Sequence, residues 1–148
     1  MFAVLKAAKY VTIALSMNNE PYLVSLSHGY DEENRRLYFH CASEGKKLVY
    51  VMANPKVWGQ VILDFGVTDE CDYAYTSVHF WGTMRIVSEL AEKQNAMEVL
   101  VRQQSRTPEA KLAKISAEKL AKTTMLSIDI DGLTGKKHLN PKVVAEKP

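Results

Sequence analysis

Residues 37–57 read LYFHCASEGKKLVYVMANPKV, and this stretch predicts a strand that passes almost directly into a helix. The run of β-favouring residues that ends at Cys41 is typical of a strand. We expect the helix to end before Asn54-Pro55, because proline disfavours helical backbone at the residue that precedes it. Four apolar residues carry the helical pattern: Leu48, Val49, Val51 and Met52.

Two adjacent lysines, Lys46 and Lys47, stand at the predicted start of this helix. Their ammonium groups repel each other, so either both are solvated or both face an anion. Ser43 is the expected N-cap, and Gly45 lets the backbone approach a ligand closely. Amide groups in the first helical turn lack intrahelical partners, and the helix dipole adds partial positive charge there. The stretch therefore predicts a phosphate site, with two solvated lysines as the alternative.

Strand and turn signals on either side of this stretch predict five further strands. Short turns join the first three strands into a meander, and residues 66–74 read as a polar loop. We expect a small, closed antiparallel barrel of the α+β class, because closure removes exposed strand edges. The six predicted strands span residues 10–16, 22–30, 36–41, 56–65, 75–87 and 124–130.

The fifth strand is long enough for alternation to separate its two faces. The outward face carries polar and aromatic residues, and we expect Tyr75 and Trp81 to belong to a dimer interface, where aromatic residues are favoured. The residues expected to point to the core are Val78, Phe80, Gly82, Met84 and Ile86. The residues expected to point outward are Ser77, His79, Trp81 and Thr83.

The second half of the chain predicts helices and a tail. Ser88 is the expected N-cap of a helix that runs to about Gln104. Residues 106–122 indicate one or two surface helical turns that begin at Pro108, and residues 132–148 are expected to form a polar C-terminal arm. The buried stripe of the long helix is expected to be Leu90, Met97, Leu100 and Val101.

The bulk composition excludes several classes of protein. The chain has 148 residues and a net charge of +2, so we expect a single domain, 1–148, without the broad basic face of a nucleic-acid binder. No stretch approaches the about 20 apolar residues that a membrane span needs. Cys41 and Cys71 suggest no disulfide framework, and the four histidines show no metal-binding spacing. We expect a cytoplasmic protein with no membrane partner and no metal site.

Several motifs, in their order along the chain, resemble the FMN-binding split barrels. They fit the pyridoxamine 5′-phosphate oxidase-like superfamily and, within it, the branch related to nitroimidazole-resistance proteins. The resemblance extends from about Lys9 to Pro141. Its motifs are PYLVSLSHGY at 21–30, LYFH at 37–40, EGKKL at 44–48, NPKV at 54–57, YTSVHFWG at 75–82 and LTGKKH at 133–138.

This resemblance implies a homodimer of six-stranded split β-barrels, with FMN bound at the subunit interface. It assigns the phosphate to Lys46 and Lys47 and a polar cofactor contact to Ser77. It also implies a flavin enzyme that passes electrons from a reduced nicotinamide, NAD(P)H, or a deazaflavin to a small acceptor such as a nitro compound, a quinone or a flavin. The remaining implied flavin contacts, to the ring or the ribityl chain, are Tyr22, Ser25, Leu26, Ser27, Phe39 and His40.

The sequence departs from true pyridoxamine phosphate oxidases at their substrate anchors. Tyr22 and Ser27 stand where those oxidases carry an arginine and a lysine, so that activity is not expected. No hydrolase elbow, Walker loop or GxGxxG motif is present, and no catalytic residue is assigned. Two alternatives stay open: a non-catalytic flavin-binding or storage protein, and a haem-binding split barrel that uses His40, His79 or His138.

Overall fold

The computed structural model describes residues 1–69 and 72–138, and their strands form one antiparallel sheet. The strands are β1 (Tyr10–Met17), β2 (Glu20–Ser27), β3 (Gly29–Asp31), β4 (Arg36–Cys41), β5 (Lys56–Asp69), β6 (Asp72–Val87) and β7 (Thr124–His138). The helices are α1 (Phe2–Ala7), α2 (Lys46–Ala53), α3 (Leu90–Gln104), α4 (Pro108–Leu112) and α5 (Ala117–Lys122). None of the five helices in the described part of the chain has both the length and the hydrophobicity to cross a bilayer.

The sheet is curled into a barrel, because one residue connects its two edges. The strand order is β2-β1-β5-β6-β7-β4-β3, so β2 and β3 lie at opposite ends. Only His28 separates Ser27, the last residue of β2, from Gly29, the first residue of β3. A flat sheet of seven strands cannot place its two edges one residue apart, because neighbouring strands lie about 4.8 Å apart. The predicted antiparallel split barrel is therefore confirmed.

The sheet has seven strands rather than six, because the predicted strand over residues 22–30 is divided. Its backbone leaves β2 at His28 and pairs again as β3, where Gly29 lies opposite Tyr38 of β4. The side chain of His28 is fully buried at this joint. A β-favouring run carries no local signal that separates one continuous strand from two strands on different edges.

One hydrophobic core fills the barrel. Alternate residues of the strands point inward, and the helix α2 contributes Leu48, Tyr50 and Val51. Val49 and Met52, which the sequence pattern assigned to the apolar stripe of this helix, are exposed. The largest fully buried barrel residues include Ile13, Leu15, Leu37, Phe39, Phe80, Met84, Leu126 and Ile128.

The long strand β6 follows the predicted alternation except at its end. Val78, Phe80 and Met84 are buried and belong to the barrel core. Ile86 is exposed, and Val87 is buried instead in a second cluster with Ala96 of α3. The prediction for Ile86 was wrong because this end of β6 extends beyond the barrel core, while α3 covers the opposite face.

The ends of several elements also differ from the prediction. Residues 66–69 and 72–74 continue β5 and β6 as a hairpin, in which Val67 lies opposite Tyr73. The prediction of a polar loop over residues 66–74 was therefore wrong. The strand β7 runs to His138, so residues 132–138 belong to the sheet and do not form the predicted arm. The rest of the predicted arm, residues 139–148, lies outside the described residues, as does Cys71.

The long helix α3 begins one residue later than predicted. Its N-cap is Glu89 rather than Ser88, and no side chain caps it. Leu90 is exposed, whereas Ala96 joins Leu100 and Val101 on the buried side. Leu90 does not face the sheet but lines a hollow between α3 and the helices α4 and α5, with Met97, Leu112 and Leu120.

Ion pairs attach α3 to the outside of the sheet. The carboxylate of Glu92 accepts hydrogen bonds from Arg85 at 2.6 and 3.0 Å and from Arg36 at 2.9 Å. Arg36 also pairs with Asp129 on the neighbouring strand β7. The hydrogen bond from Arg85 holds the pKa of Glu92 below its ordinary value of 4.5. These partly exposed pairs fix the position of α3 more than they stabilise the fold.

His28 and two glutamines fasten the joint between β2 and β3. His28 Nε2 lies 2.7 Å from the carbonyl oxygen of Leu5 in α1, so this nitrogen carries the proton and donates. Gln103 donates to the same carbonyl at 3.0 Å and accepts from the amide of Tyr30 at 2.8 Å. Gln104 donates to the carbonyl of His28 at 2.7 Å. Burial lowers the pKa of His28 from its ordinary value of 6.5, and the hydrogen bond to Leu5 acts in the opposite direction.

We expect acid to weaken the fold through His28. Because the native pKa is lowered, the unfolded chain takes up a proton below pH 6.5 while the native imidazole stays neutral. The free energy of unfolding should therefore fall below that pH by at most about 1.4 kcal/mol per pH unit. Urea unfolding between about pH 7.5 and pH 5.5 measures this slope. His28→Gln should remove most of it, whereas the exposed-site control His40→Gln should keep it; an unchanged slope in His28→Gln would contradict the assignment.

Candidate functional site

The N-terminus of α2 is open, as the strand-to-helix stretch predicted, but its cap differs. Gly45 is the N-cap with φ 131°, a conformation that L side chains rarely adopt, and no side chain caps the helix. The predicted cap, Ser43, is exposed and lies two residues too early. A β-carbon added at Gly45 would meet nothing within 4 Å. The space beside Gly45, at the start of α2, is therefore open to a ligand.

Lys46 lies against an aromatic pair and a carboxylate. Its Nζ is 5.0 Å from the ring centroid of Tyr22 and 5.3 Å from that of Tyr50, both within cation–π range. The two rings are 5.2 Å apart and tilted by 57°. Glu20 Oε1 lies 3.7 Å from the same Nζ. These contacts hold one positive charge beside the start of α2.

Lys47 lies on the other side of the helix start, near the end of β4. Its charge acts on the half-buried thiol of Cys41, whose pKa is raised by burial and lowered to a smaller extent by Lys47. His40, the neighbour of Cys41, is exposed. The end of β4 and the first turn of α2 thus carry an exposed histidine and two lysines, and we call these residues with the N-cap glycine the anion corner (His40, Gly45, Lys46 and Lys47).

A second group of polar and aromatic residues lies on the outside of the barrel. Strand pairing aligns two rows of side chains across β2, β1, β5, β6 and β7. The first row is Leu23, Ala14, Trp58, Trp81 and Gly132, and the second is Ser25, Thr12, Gln60, His79 and Thr134. We call these residues, with Tyr10, Ser27, Ile62, Tyr75, Ser77 and Lys136 beside them, the outer face.

The centre of the outer face is an aromatic cluster. The indoles of Trp58 and Trp81 stack with centroids 4.9 Å apart and an angle of 21° between their planes. Trp58 Nε1 donates to His79 Nδ1 at 3.2 Å, and His79 Nε2 lies 3.2 Å from the amide nitrogen of Gln60. A β-carbon at Gly132 would lie 2.1 Å from the Trp81 ring, so only glycine lets this indole lie flat across β7.

Ser77 lies on the outer face, as the strand alternation predicted, but it is buried rather than solvated. It lines a hollow of about 480 Å³ between β5, β6 and β7. Lys136, directly opposite Ser77 on β7, reaches over the ring of Tyr75 at 5.6 Å. A hydrogen bond to Tyr75 raises the pKa of Lys136. The hollow is lined by Gln60, Ile62, Asp64, Tyr73, Tyr75, Ser77, His79 and Lys136.

The predicted flavin contacts on β2 fall on two faces of the strand. Tyr22 and Leu26 pack on the core side, whereas Ser25 is exposed on the outer face and its Oγ lies 2.9 Å from Thr12 Oγ1. Ser27 is opposite Tyr10 on the same outer side. Phe39 is fully buried in the barrel core, opposite Leu126 of β7, and has no exposed surface in this chain.

A family model described as pyridoxamine 5′-phosphate oxidase matches residues 1–137. The chain belongs to the pyridoxamine 5′-phosphate oxidase family. The resemblance that the motifs carried is thereby confirmed over nearly the whole chain, since the match begins at Met1 and ends within β7. No curated protein sequence matches the chain.

Solved structures share this family's fold at low sequence identity. A putative 5-nitroimidazole antibiotic resistance protein from Bacteroides thetaiotaomicron is 20% identical, with a TM-score of 0.74 over 90% of this chain and 80% of that chain. The flavocytochrome Anf3 from Azotobacter vinelandii is 18% identical, with a TM-score of 0.76 over 99% and 72%. An FAD and heme binding protein from Mycobacterium smegmatis is 18% identical, with a TM-score of 0.74 over 96% and 74%.

Sequence reasoning missed several residues of both groups. Tyr50 follows Lys46 by four residues, so helical periodicity alone places its ring beside the ammonium group. Glu20 was also missed, although it lies on the same face of β2 as Tyr22, which the resemblance had named, because alternate strand residues point the same way. Trp58 and Gln60 on β5 carried no such signal, since their partners on β6 depend on the register between two strands.

Proposed function

We propose that this chain binds FMN and acts as an FMN-dependent oxidoreductase. The observation that carries the proposal is the anion corner, where two ammonium groups flank a helix N-terminus with no side-chain cap. A phosphate monoester carries up to two negative charges and accepts several hydrogen bonds, so it matches lysines and free amide groups together. Structural neighbours described as an FAD and heme binding protein and as an FAD-binding protein support a flavin as the type of cofactor.

The residues at the anion corner fit the phosphate end of FMN. Lys46 and Lys47 supply the charge, and Gly45 leaves room for the phosphate to approach the backbone. Tyr22 borders this corner through its contact with Lys46, while Ser25, Ser27 and Ser77 lie on the outer face. We propose that the two groups contact FMN from two different chains, because the core side and the outer side of β2 face apart within one chain.

We therefore propose a homodimer that buries the outer face. Trp58 and Ile62 are 50% and 54% exposed there, beside the exposed Tyr10 and Leu23 on the adjoining strands. An aromatic, largely uncharged centre of this kind is typical of a buried interface core. The polar row through Ser25, Thr12, Gln60 and His79 would then fix the register of the two chains, because buried polar groups need partners.

The redox chemistry would be that of the flavin, which accepts and donates electron pairs when bound. The chain supplies binding and orientation, and no residue is assigned a catalytic role. We propose NAD(P)H or a deazaflavin as the donor and a nitro compound, a quinone or a flavin as the acceptor. Pyridoxamine phosphate oxidation is not proposed, because Tyr22 and Ser27 lack the charge that a phosphorylated vitamin needs at those positions.

One of the three histidines considered as haem ligands, His79, has no nitrogen free to bind iron. Trp58 Nε1 donates to His79 Nδ1, so Nδ1 is an acceptor and the proton resides on Nε2. His79 Nε2 is also within 3.2 Å of the Gln60 side chain. Neither nitrogen therefore offers a free lone pair to an iron ion in this arrangement. His138 contacts Asp72 through Nε2 alone, at 2.9 Å, so the haem alternative keeps His138 and His40.

Lys46→Ala combined with Lys47→Ala should weaken FMN binding by about 100-fold and riboflavin binding by less than about three-fold, because only FMN carries the phosphate. Quenching of flavin fluorescence during titration measures both affinities. Lys111→Ala combined with Lys114→Ala, two exposed lysines at α4, is the matched control and should change neither affinity. Equal losses for FMN and riboflavin would refute the phosphate assignment.

A flavin oxidoreductase should turn over with a suitable donor. We expect the FMN-loaded protein to lose its visible flavin absorbance when NADH, NADPH or a reduced deazaflavin is added without oxygen, and to regain it with a nitro compound or quinone. Stopped-flow absorbance checks both steps. Tight binding of FMN with no bleaching by any of these donors would identify a flavin-binding or storage protein instead.

Replacing Ile62 with lysine should dissociate the dimer, because it places a charge within the apolar part of the outer face. Sedimentation velocity should show a dimer for the unchanged chain and a monomer for Ile62→Lys. Leu90→Lys on α3 is the control, since Leu90 is 50% exposed on a different surface, and it should remain dimeric. A monomeric unchanged chain that still binds FMN tightly would overturn the proposed interface.

A further inference from the structure

Glu20 is held in a fixed position next to the anion corner. It is the first residue of β2 and lies opposite Met17, across a tight turn in which Asn18 and Asn19 both have positive φ. Such a two-residue turn sets the register of the hairpin. Because Glu20 and Tyr22 are two residues apart on one strand, both side chains point towards α2. The carboxylate therefore reaches Lys46 by virtue of the hairpin geometry.

Lys46 contacts both a carboxylate and two aromatic rings. The carboxylate of Glu20 is 3.7 Å from Nζ, beyond ordinary hydrogen-bond distance, while the rings of Tyr22 and Tyr50 lie 5.0 and 5.3 Å away. Lys46 and Glu20 are both more than half exposed, so the pair gives little stability to the fold. The Glu20–Lys46 contact adds little stability, yet it partly neutralises the charge that we propose binds phosphate. A role of Glu20 in ligand binding follows from this.

We propose that Glu20 competes with the bound phosphate for Lys46 and thereby sets both the affinity for FMN and the preference for FMN over riboflavin. This inference rests on the proposed FMN site. Two anions that share one ammonium group repel each other, so binding of a phosphate requires Glu20 to move away or to tolerate the repulsion. Lys47, which is not paired with Glu20, then makes the first contact with the phosphate.

The competition predicts a gain of function when the carboxylate is neutralised. One unit charge at about 4 Å in a water-like dielectric changes a binding constant by roughly five-fold. Glu20→Gln should therefore tighten FMN binding by about three- to ten-fold and leave riboflavin binding unchanged, because riboflavin has no phosphate. The gain should shrink at high salt, which screens exposed charges.

A double-mutant cycle tests whether the gain acts through Lys46. FMN and riboflavin affinities are measured by fluorescence quenching for the unchanged chain, Glu20→Gln, Lys46→Met and the double variant. Methionine keeps an unbranched stem on the tyrosine rings but removes the charge. In the Lys46→Met background Glu20→Gln should lose most of this gain, because no ammonium group remains for the two anions to share, and only their direct repulsion is left. Glu118→Gln on α5, which removes one negative charge from an exposed pair with Lys122, is the matched control and should not alter FMN affinity.

The outcomes separate this inference from the proposed function. If the unchanged chain binds FMN but Glu20→Gln behaves like Glu118→Gln, the competition is refuted while the FMN site stands. If Glu20→Gln weakens FMN binding, Glu20 positions Lys46 rather than competing for it, and the inference is again wrong. If neither the unchanged chain nor any variant binds FMN, both the competition and the proposed function fail.

Discussion

The structure depends on the single-residue joint between β2 and β3. This joint brings the two outer strands of a seven-stranded sheet together and so closes the barrel around one core. Its backbone cannot use regular sheet pairing at His28, so α1 and α3 supply the hydrogen bonds through Leu5, Gln103 and Gln104. The helices α1 and α3 therefore take part in closing the barrel. Their hydrogen bonds accommodate the neutral, buried imidazole of His28 at the joint.

The position of β2 in the barrel also determines which surfaces its side chains can form. As an edge strand it has one neighbour, and its alternate residues face the core and the outside. Tyr22 turns inwards to meet Tyr50 of α2, and both rings support Lys46 at the anion corner. Ser25 turns outwards and joins the polar row that continues through Gln60 to His79. One strand thus contributes to two separate surfaces, and this division follows from the period of two residues alone.

The sequence predicted what depends on local signals and failed where distant contacts decide. Pro55 ended α2 as expected, and the two lysines begin it, because both effects act within a few residues. The break at His28 was missed because only the helices packed on it distinguish one strand from two. Residues 66–74 were assigned to a loop because they are polar, yet β5 and β6 continue through this region as a hairpin in which Val67 pairs with Tyr73. Ser43 was predicted as the N-cap of α2, but the N-cap is Gly45, whose positive φ is a backbone conformation that glycine adopts readily.

The position of the charges supports the proposal that the anion corner binds a ligand. A chain with a net charge of only +2 gains little solubility from two adjacent lysines at one helix start. Placing cations at the N-terminus of a helix also opposes the helix dipole, where a carboxylate would be favourable. The arrangement costs a little helix stability and needs compensation, which Glu20 and the tyrosine rings supply for Lys46 in part. A phosphate would compensate both lysines at once, and this unfavourable local arrangement is the physical reason to look for one there.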